Sequence, residues 1–225
     1  MIKILQVSNI DSFVESRRQK TSEKDRKTVQ AILNDVRKNG DSAVKKYERK
    51  FNGRKTSQLR VSEKEIKEAR SKITDEQWTV LGPISARLEQ AESYLKERLP
   101  MDVRTPTATY IVKSFVPIPS VGCYVPGGQA RYPSSAIMSV VPAKVAGVKR
   151  IVVVSPPGPD GKIDPLTIAA AKMCGATEIY KVGGAQAIGA LAYGTKSIPK
   201  VDKIVGPGYN HACCLSFLLF CHHSK

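Results

Sequence analysis

The sequence predicts an α/β protein in which a mostly helical region (1–105) precedes a parallel βαβ sheet (106–208). Two observations support this class. Apolar residues recur at helical spacing through the first hundred positions, and the pattern then changes to short apolar runs that alternate with helical segments. Nearly continuous apolar runs between helices are typical of parallel strands buried on both faces.

Four amphipathic helices are predicted in the first region from apolar residues three or four positions apart. Their inward faces carry, in chain order, Val29, Ile32, Leu33 and Val36, then Val44, Tyr47 and Phe51, then Ile66, Ala69 and Ile73, and finally the apolar residues of 78–99. Ser62 with Glu65 forms a capping-box pair at the start of the third helix. Gly82-Pro83 is expected to interrupt the fourth, because proline removes a helical N–H donor.

Strands and helices alternate from residue 107 onward. Thr107–Ile118, rich in β-branched residues, predicts one or two strands. The later strands are predicted at 120–125, 150–155, 178–182 and 201–205, with helices from about 134, over 165–174 and over 185–193. Right-handed crossovers bring the turns that follow these strands to the carboxyl edge of the sheet, where open α/β sheets bind ligands.

Three glycine-rich turns belong to this edge: GCYVPGG (122–128), GGAQAIGALAYGT (183–195) and VDKIVGPG (201–208). Paired glycines let the backbone approach an anion, and a helix N-terminus supplies N–H donors. None of the turns is a GxGxxG, so the ordinary dinucleotide fingerprint is absent, and simple fold punctuation is an alternative. Beside the turns, Tyr124 is expected to stack on or hydrogen-bond a ring or ribose. Gln186 is expected either to contact the same ligand or to lie exposed in the first turn of its helix.

The amino-acid composition indicates which partners are not to be expected. The net charge of +16 comes from basic residues interleaved with acids along helical segments, and aromatic residues suited to base stacking are sparse. A nucleic-acid partner is therefore not expected. No apolar run approaches the roughly 18–20 residues of a membrane span, so no membrane partner is expected and the predicted location is cytoplasmic.

All three histidines, His211, His222 and His223, lie in a last segment of different composition. Residues 1–210 therefore offer no imidazole as a base or a metal ligand. Cys123, beside a glycine turn, is a candidate nucleophile that the lack of a histidine base disfavours. The cysteines and histidines of the last segment match no familiar zinc spacing.

The stretch GCYVPGGQARYPSSAIMSVVPAKVAGVKRIVVVSPP, followed by GGAQAIGALAYGT and VDKIVGPG, closely resembles histidinol dehydrogenase over about residues 110–208. Several long motifs in order and at the right spacing are far more specific than one glycine pattern. The resemblance implies an incomplete Rossmann-like, aldehyde-dehydrogenase-like architecture, truncated here. It also implies a zinc-containing homodimer that uses NAD to oxidise L-histidinol to L-histidine through the aldehyde, at the end of histidine biosynthesis.

The resemblance also implies site residues. The tyrosine of GCYVPGG and the glutamine of GGAQAIGA, which contact NAD in the family, correspond to Tyr124 and Gln186. A third contact comes from the asparagine directly after GPG. Tyr209 stands at that position here, and Asn210, one residue later, is the remaining candidate.

This sequence departs from the family after Gly208. The family continues for about as many residues again and carries there its zinc ligands and a glutamate–histidine pair, so no catalytic or metal-binding residue is assigned in this chain. Residues 209–225 are expected to be a non-family tail, produced by a frameshift, an erroneous gene model or a retained intron-like insert. We therefore expect an inactive and poorly soluble chain, because strand edges stay uncovered. The alternative is a non-catalytic module that binds a nucleotide or pairs with another subunit.

Overall fold

The computed structural model describes residues 9–10, 13, 23–53, 58–99, 101–104, 110–113, 115–127 and 131–207, with 52, 101–104 and 110–113 described by their backbone alone. Its longer helices are α1 (Glu23–Asn39), α2 (Asp41–Asn52), α3 (Glu63–Ser71), α4 (Asp75–Lys96), α5 (Pro133–Ala146), α6 (Pro165–Cys174) and α7 (Gly184–Tyr193). The strands are β1 (Met101–Arg104), β2 (Tyr110–Lys113), β3 (Ser120–Tyr124), β4 (Arg150–Ser155), β5 (Glu178–Lys181) and β6 (Lys203–Val205).

Four of these strands form a parallel sheet in the order β5-β4-β3-β6. The register places Val121 beside Ile151 and Lys203, and Val154 beside Tyr180. The α/β class is confirmed, and the carboxyl ends of all four strands lie at one edge.

Helices cover both faces of this sheet, because successive side chains of a strand point to opposite sides. On one face, Val152 and Val154 pack with the apolar residues of α1, α2 and α7. On the other, Ile151 and Val153 pack with residues of α3, α4, α5 and α6. The helical first region thus contributes to both layers, and its division from the sheet at residue 105 stays a prediction.

The segment 59–61 extends the sheet beyond β5. The Val61 amide donates to the Ile179 carbonyl at 2.8 Å, and the Lys181 amide donates to the Leu59 carbonyl at 2.7 Å, in an antiparallel arrangement. The chain then enters α3 through the predicted capping box of Ser62 and Glu65, which is confirmed. Glu65 also accepts a 2.7 Å hydrogen bond from the Lys181 ammonium, which ties α3 to β5.

Two expectations for the first region are wrong. α4 runs without interruption through Pro83. Its buried residues Leu81 and Ser85, and an ion pair of 2.9 Å between Glu89 and Lys144 of α5, stabilise it against the roughly 3 kcal/mol that an interior proline costs. Phe51 is 52% exposed instead of inward, and Glu48 is buried in that helix.

The strands predicted within Thr107–Ile118 are confirmed only in part. β2 lies in that range and pairs in antiparallel fashion with β1, Met101–Arg104, which the sequence pattern did not predict as a strand. Residues 115–118 form neither helix nor strand. No helix in the part of the chain that the structure describes is long and apolar enough to cross a membrane.

Candidate functional site

Three glycines hold the turns at the carboxyl edge of the sheet in direct contact. A Cβ atom on Gly127 would lie 2.9 Å from Ser155 Oγ, and one on Gly183 would lie 2.5 Å from Pro156 Cβ. A Cβ atom on Gly206, whose φ is +142°, would overlap the backbone carbonyl of Tyr124. Only a residue without a side chain permits these approaches. The turns after β3, β4, β5 and β6 therefore form one packed surface.

Tyr124, the last residue of β3, reaches across this surface to the start of α7. Its hydroxyl oxygen accepts a hydrogen bond of 3.2 Å from the Gly184 amide. Burial raises the pKa of Tyr124, the nearby charge of Glu48 raises it further, and the Gly184 amide opposes both. The phenol therefore stays protonated at neutral pH, and among the described residues its hydrogen is donated to none.

Gln186 lies in the first turn of α7 but is only 2% exposed, so the expectation of an exposed first-turn residue is wrong. Its Nε2 donates to Glu48 Oε1 at 2.8 Å. Its Oε1 is buried without a hydrogen-bond partner in the part of the chain that the structure describes. An unpaired buried carbonyl oxygen lowers the stability of the folded protein by about 1–3 kcal/mol. This cost favours a hydrogen-bond partner that does not belong to the described residues.

Glu48 is a site residue that sequence reasoning missed. This carboxylate of α2 is fully buried, and its Oε1 accepts from both Gln186 Nε2 and the Gly183 amide, the latter at 3.0 Å. The available signal was its position four residues after Val44, on the helix face assigned to the core. A carboxylate there needed a buried polar partner.

Tyr124 and Gln186 meet around Gly184. The Gly184 amide contacts the Tyr124 hydroxyl, and the φ of +60° at Gly184 turns the chain so that a Cβ there would lie 2.9 Å from Gln186 Oε1. The pair offers one O–H donor and one carbonyl acceptor. A sugar hydroxyl, which both donates and accepts, is complementary to this pair.

A polar cavity of about 270 Å³ lies between the turn after β3 and the loop that leads into α6, and neither Tyr124 nor Gln186 is among its described lining residues. Ser155 and Lys162 line it, and Arg131 forms an ion pair of 3.3 Å with Asp164 at its rim. Asp164 also caps α6, since its Oδ2 accepts from the Thr167 amide at 3.0 Å. The Thr167 and Ile168 amides at this helix start thus have partners, and the lining of the cavity carries two basic and two acidic side chains, Arg131, Lys162, Asp160 and Asp164.

Cys123 is not placed to act as a nucleophile. The side chain is fully buried, and burial raises the pKa of its thiol to about 12. Its sulfur contacts the Ser139 carbonyl at 3.6 Å. Thiolate chemistry at neutral pH is therefore excluded for this residue.

The described residues contain no group of three or more His, Cys, Asp or Glu side chains able to hold a metal ion. Because residues 1–210 include no histidine, the donor set of this region does not fit a catalytic zinc ion. Asn210, the third candidate for a cofactor contact, and Tyr209 before it lie outside the described residues.

The fold and this edge define an α/β protein with an open parallel sheet, whose packed turns lie at the carboxyl edge where sheets of this class bind ligands. The histidinol dehydrogenase family profile matches residues 15–213. The chain is 44% identical over 184 residues to the histidinol dehydrogenase of Methanosarcina mazei, and 47% identical over 189 residues to that of Bacillus licheniformis. It therefore belongs to the histidinol dehydrogenase family.

A solved structure agrees with this assignment. The crystal structure of histidinol dehydrogenase from Elizabethkingia anophelis matches with a TM-score of 0.86 at 30% identity, over 95% of this chain and 49% of that one. The aligned region covers 80% of this chain and 42% of the Methanosarcina mazei relative, and 83% and 44% in the Bacillus licheniformis comparison. The chain thus spans about half the length of the relatives that it matches.

Proposed function

We propose that this chain forms the NAD-binding part of a histidinol dehydrogenase, an enzyme that oxidises L-histidinol to L-histidine through the aldehyde. The arrangement of Tyr124 and Gln186 around Gly184, in a chain of this family, is the observation that carries the proposal. NAD, when bound, supplies the oxidant. The Tyr124 hydroxyl would donate to the cofactor, and Gln186 Oε1 would accept from it.

The chemistry of the two groups fits this role. The raised pKa of Tyr124 keeps its hydroxyl a donor over the whole neutral range. Gln186 cannot rotate its amide nitrogen toward a ligand without breaking the bond to Glu48, so its oxygen is the atom left to pair. A ribose or amide group of a dinucleotide meets both demands.

The 225-residue chain by itself is proposed to be inactive. The described residues present neither a zinc ligand set nor a histidine base, and alcohol oxidation by this family is expected to need both. Zinc and substrate would be bound by other parts of the enzyme. The homodimer and the cytoplasmic location stay predictions.

Two measurements on the purified chain test the proposal. Calorimetric titration with NAD should give saturable binding, and turnover of L-histidinol with NAD and added zinc should give no absorbance rise at the wavelength of NADH. The Tyr124→Phe variant removes one donor and should weaken NAD binding about threefold to tenfold, as expected for one hydrogen bond. Tyr94→Phe, on an exposed tyrosine of α4, is the matched control and should bind NAD normally.

The results of these two measurements test the cofactor assignment and the inactivity separately. Absence of saturable binding would refute the cofactor assignment, and histidinol turnover would refute the inactivity. Binding without turnover is also what the alternative reading, a non-catalytic nucleotide-binding module, expects. Turnover of L-histidinol that appears only after the complementary half of a relative is added would favour the interpretation as part of an enzyme.

One observation favours subunit pairing as a second role. An apolar groove of about 730 Å³ runs along α5 and β6, and its lining includes Phe115, Val116 and Met138, which are 60%, 83% and 69% exposed. Exposed apolar patches of this kind are typical of surfaces that bind another polypeptide. Concentration-dependent association in light scattering would support this role, and a strictly monomeric chain at high concentration would contradict it.

A further inference from the structure

We infer that Glu48 is a positioning residue for the cofactor site: it fixes the Gly183 turn and the orientation of the Gln186 carboxamide. The inference concerns the proposed NAD site and therefore rests on that proposal. The hydrogen bonds from which it is argued do not depend on NAD. Glu48 comes from α2, in the helical first region, within the stretch that the family profile matches.

A single carboxylate oxygen performs both tasks. Glu48 Oε1 accepts from the Gly183 amide at 3.0 Å and from Gln186 Nε2 at 2.8 Å. Both bonds are buried, where a hydrogen bond is electrostatically stronger than one exposed to water. The turn that follows β5 and the first polar side chain of α7 are thereby held by one atom of α2.

This contact decides which atom of Gln186 is presented. Glu48 Oε1 accepts from two N–H groups, so the amide nitrogen of Gln186 faces Glu48 and its carbonyl oxygen points away. Gln186 Oε1 is the buried atom left without a partner among the described residues. Glu48 thus makes Gln186 an acceptor toward the site, next to the donor hydroxyl of Tyr124.

The contact also fixes the backbone. With the Gly183 amide held by Glu48, the adjacent Gly184 amide points to the Tyr124 hydroxyl at 3.2 Å. The two consecutive amides are therefore oriented by two different side chains. Loss of Glu48 should release the turn and, through Gly184, the tyrosine hydroxyl.

The test compares Glu48→Ala and Glu48→Gln with Asp41→Ala. Asp41 also lies in α2 and also accepts two hydrogen bonds from a loop, at 3.2 Å from the Ser197 amide and 2.6 Å from its hydroxyl. It lies seven residues away, about 10 Å along the helix. Removing it should lower the melting temperature without changing the affinity for NAD.

Two readouts are taken on each folded variant below its melting temperature. Amide hydrogen exchange of Gly183, measured by NMR, reports the turn without any ligand. Titration with NAD reports the site. In Glu48→Ala, Gly183 exchange should accelerate at least tenfold, and the Kd for NAD should rise about tenfold or more, as for the loss of a charged hydrogen bond. Glu48→Gln keeps an oxygen acceptor and should stay within about threefold of the unchanged chain in Kd.

A pair exchange adds a second check. Gln186→Glu places two carboxylates together and should lower the melting temperature sharply. Adding Glu48→Gln restores a donor and an acceptor at this contact, so the melting temperature should recover. Affinity for NAD should stay at least tenfold reduced, because a carboxylate replaces the neutral carbonyl beside an anionic cofactor.

The failures are distinguishable. Absence of NAD binding by the unchanged chain refutes the proposed function, and Gly183 exchange then decides the positioning role alone. Unchanged Gly183 exchange in Glu48→Ala overturns the inference. An unchanged Kd in a folded Glu48→Ala, in a chain that binds NAD, also overturns it, since a purely structural residue would give that result.

Discussion

Gly183 offers the sharpest test of how closely the turns pack. An alanine Cβ there would lie 2.5 Å from Pro156 Cβ and 3.1 Å from Pro156 Cα. Ordinary contacts of this kind need about 3.5–4.0 Å, so the turn after β5 and the loop after β4 must separate by about 1 Å. The φ of −129° at Gly183 suits any residue, and the cost of Gly183→Ala is therefore steric and not conformational.

Forced overpacking of this kind costs about 1–3 kcal/mol. For a domain of this size the melting temperature should fall by roughly 2–4 °C for each kcal/mol. The shift of the turn also moves the Gly183 amide away from Glu48, so NAD binding should weaken with stability. Differential scanning calorimetry and urea denaturation measure the first effect, and calorimetric titration measures the second.

Gly82→Ala is the matched control for this prediction. Gly82 lies inside α4 and a Cβ there would have no atom within 4 Å. Apart from its chain neighbours a Cβ there meets nothing, but the ring of Pro83 crowds the Cβ of the preceding residue, which offsets the gain from replacing a helical glycine. The substitution should therefore leave the free energy of unfolding within about 0.5 kcal/mol of the unchanged chain. A Gly183→Ala variant within about 0.5 kcal/mol of the unchanged chain, below the expected range for overpacking, would refute the packing argument.

Three further predictions concern the rest of the molecule. The pKa of Glu178 is lowered chiefly by Arg150, at 2.8 Å. Glu178 therefore stabilises the folded protein fully at pH values above its ordinary pKa of 4.5. This contribution is lost as the pH falls through the lower pKa of the folded state. Glu178→Gln should lower the free energy of unfolding by about 1 kcal/mol at pH 7 and by progressively less as the pH falls below 4.5, and a difference independent of pH would contradict this. Cys123 and Cys174 are buried with raised pKa values, so peptide mapping after alkylation of the folded chain at pH 8 should find both unmodified, and rapid labelling would exclude the buried placement. Met138→Lys, at an exposed position in the apolar groove, should reduce concentration-dependent association without lowering the melting temperature, and unchanged association in light scattering would remove the groove from the interface.

The sequence predicted most elements of the sheet region because their signals are local. The strand at 150–155 and the helix at 165–174 agree with the structure to the residue, since continuous β-branched runs and Asp164-Pro165 mark their limits. The same holds for the capping box of Ser62 and Glu65. The predicted interruption of the helix at Pro83 was wrong, because the tertiary packing of α4 outweighs the low helix propensity of proline.

The candidate site, like the fold, could be predicted from the sequence only in part. The sequence alone predicted that Tyr124, at the end of one strand, and Gln186, after a later one, lie at the same carboxyl edge of a parallel sheet. Only the tertiary structure decided which atoms they present, because that depends on Glu48, 138 residues away from Gln186 along the chain. A buried charge-assisted hydrogen bond between distant residues leaves no local pattern in a sequence. It becomes visible only when α2 packs against α7 and the carboxylate has no water left to bind.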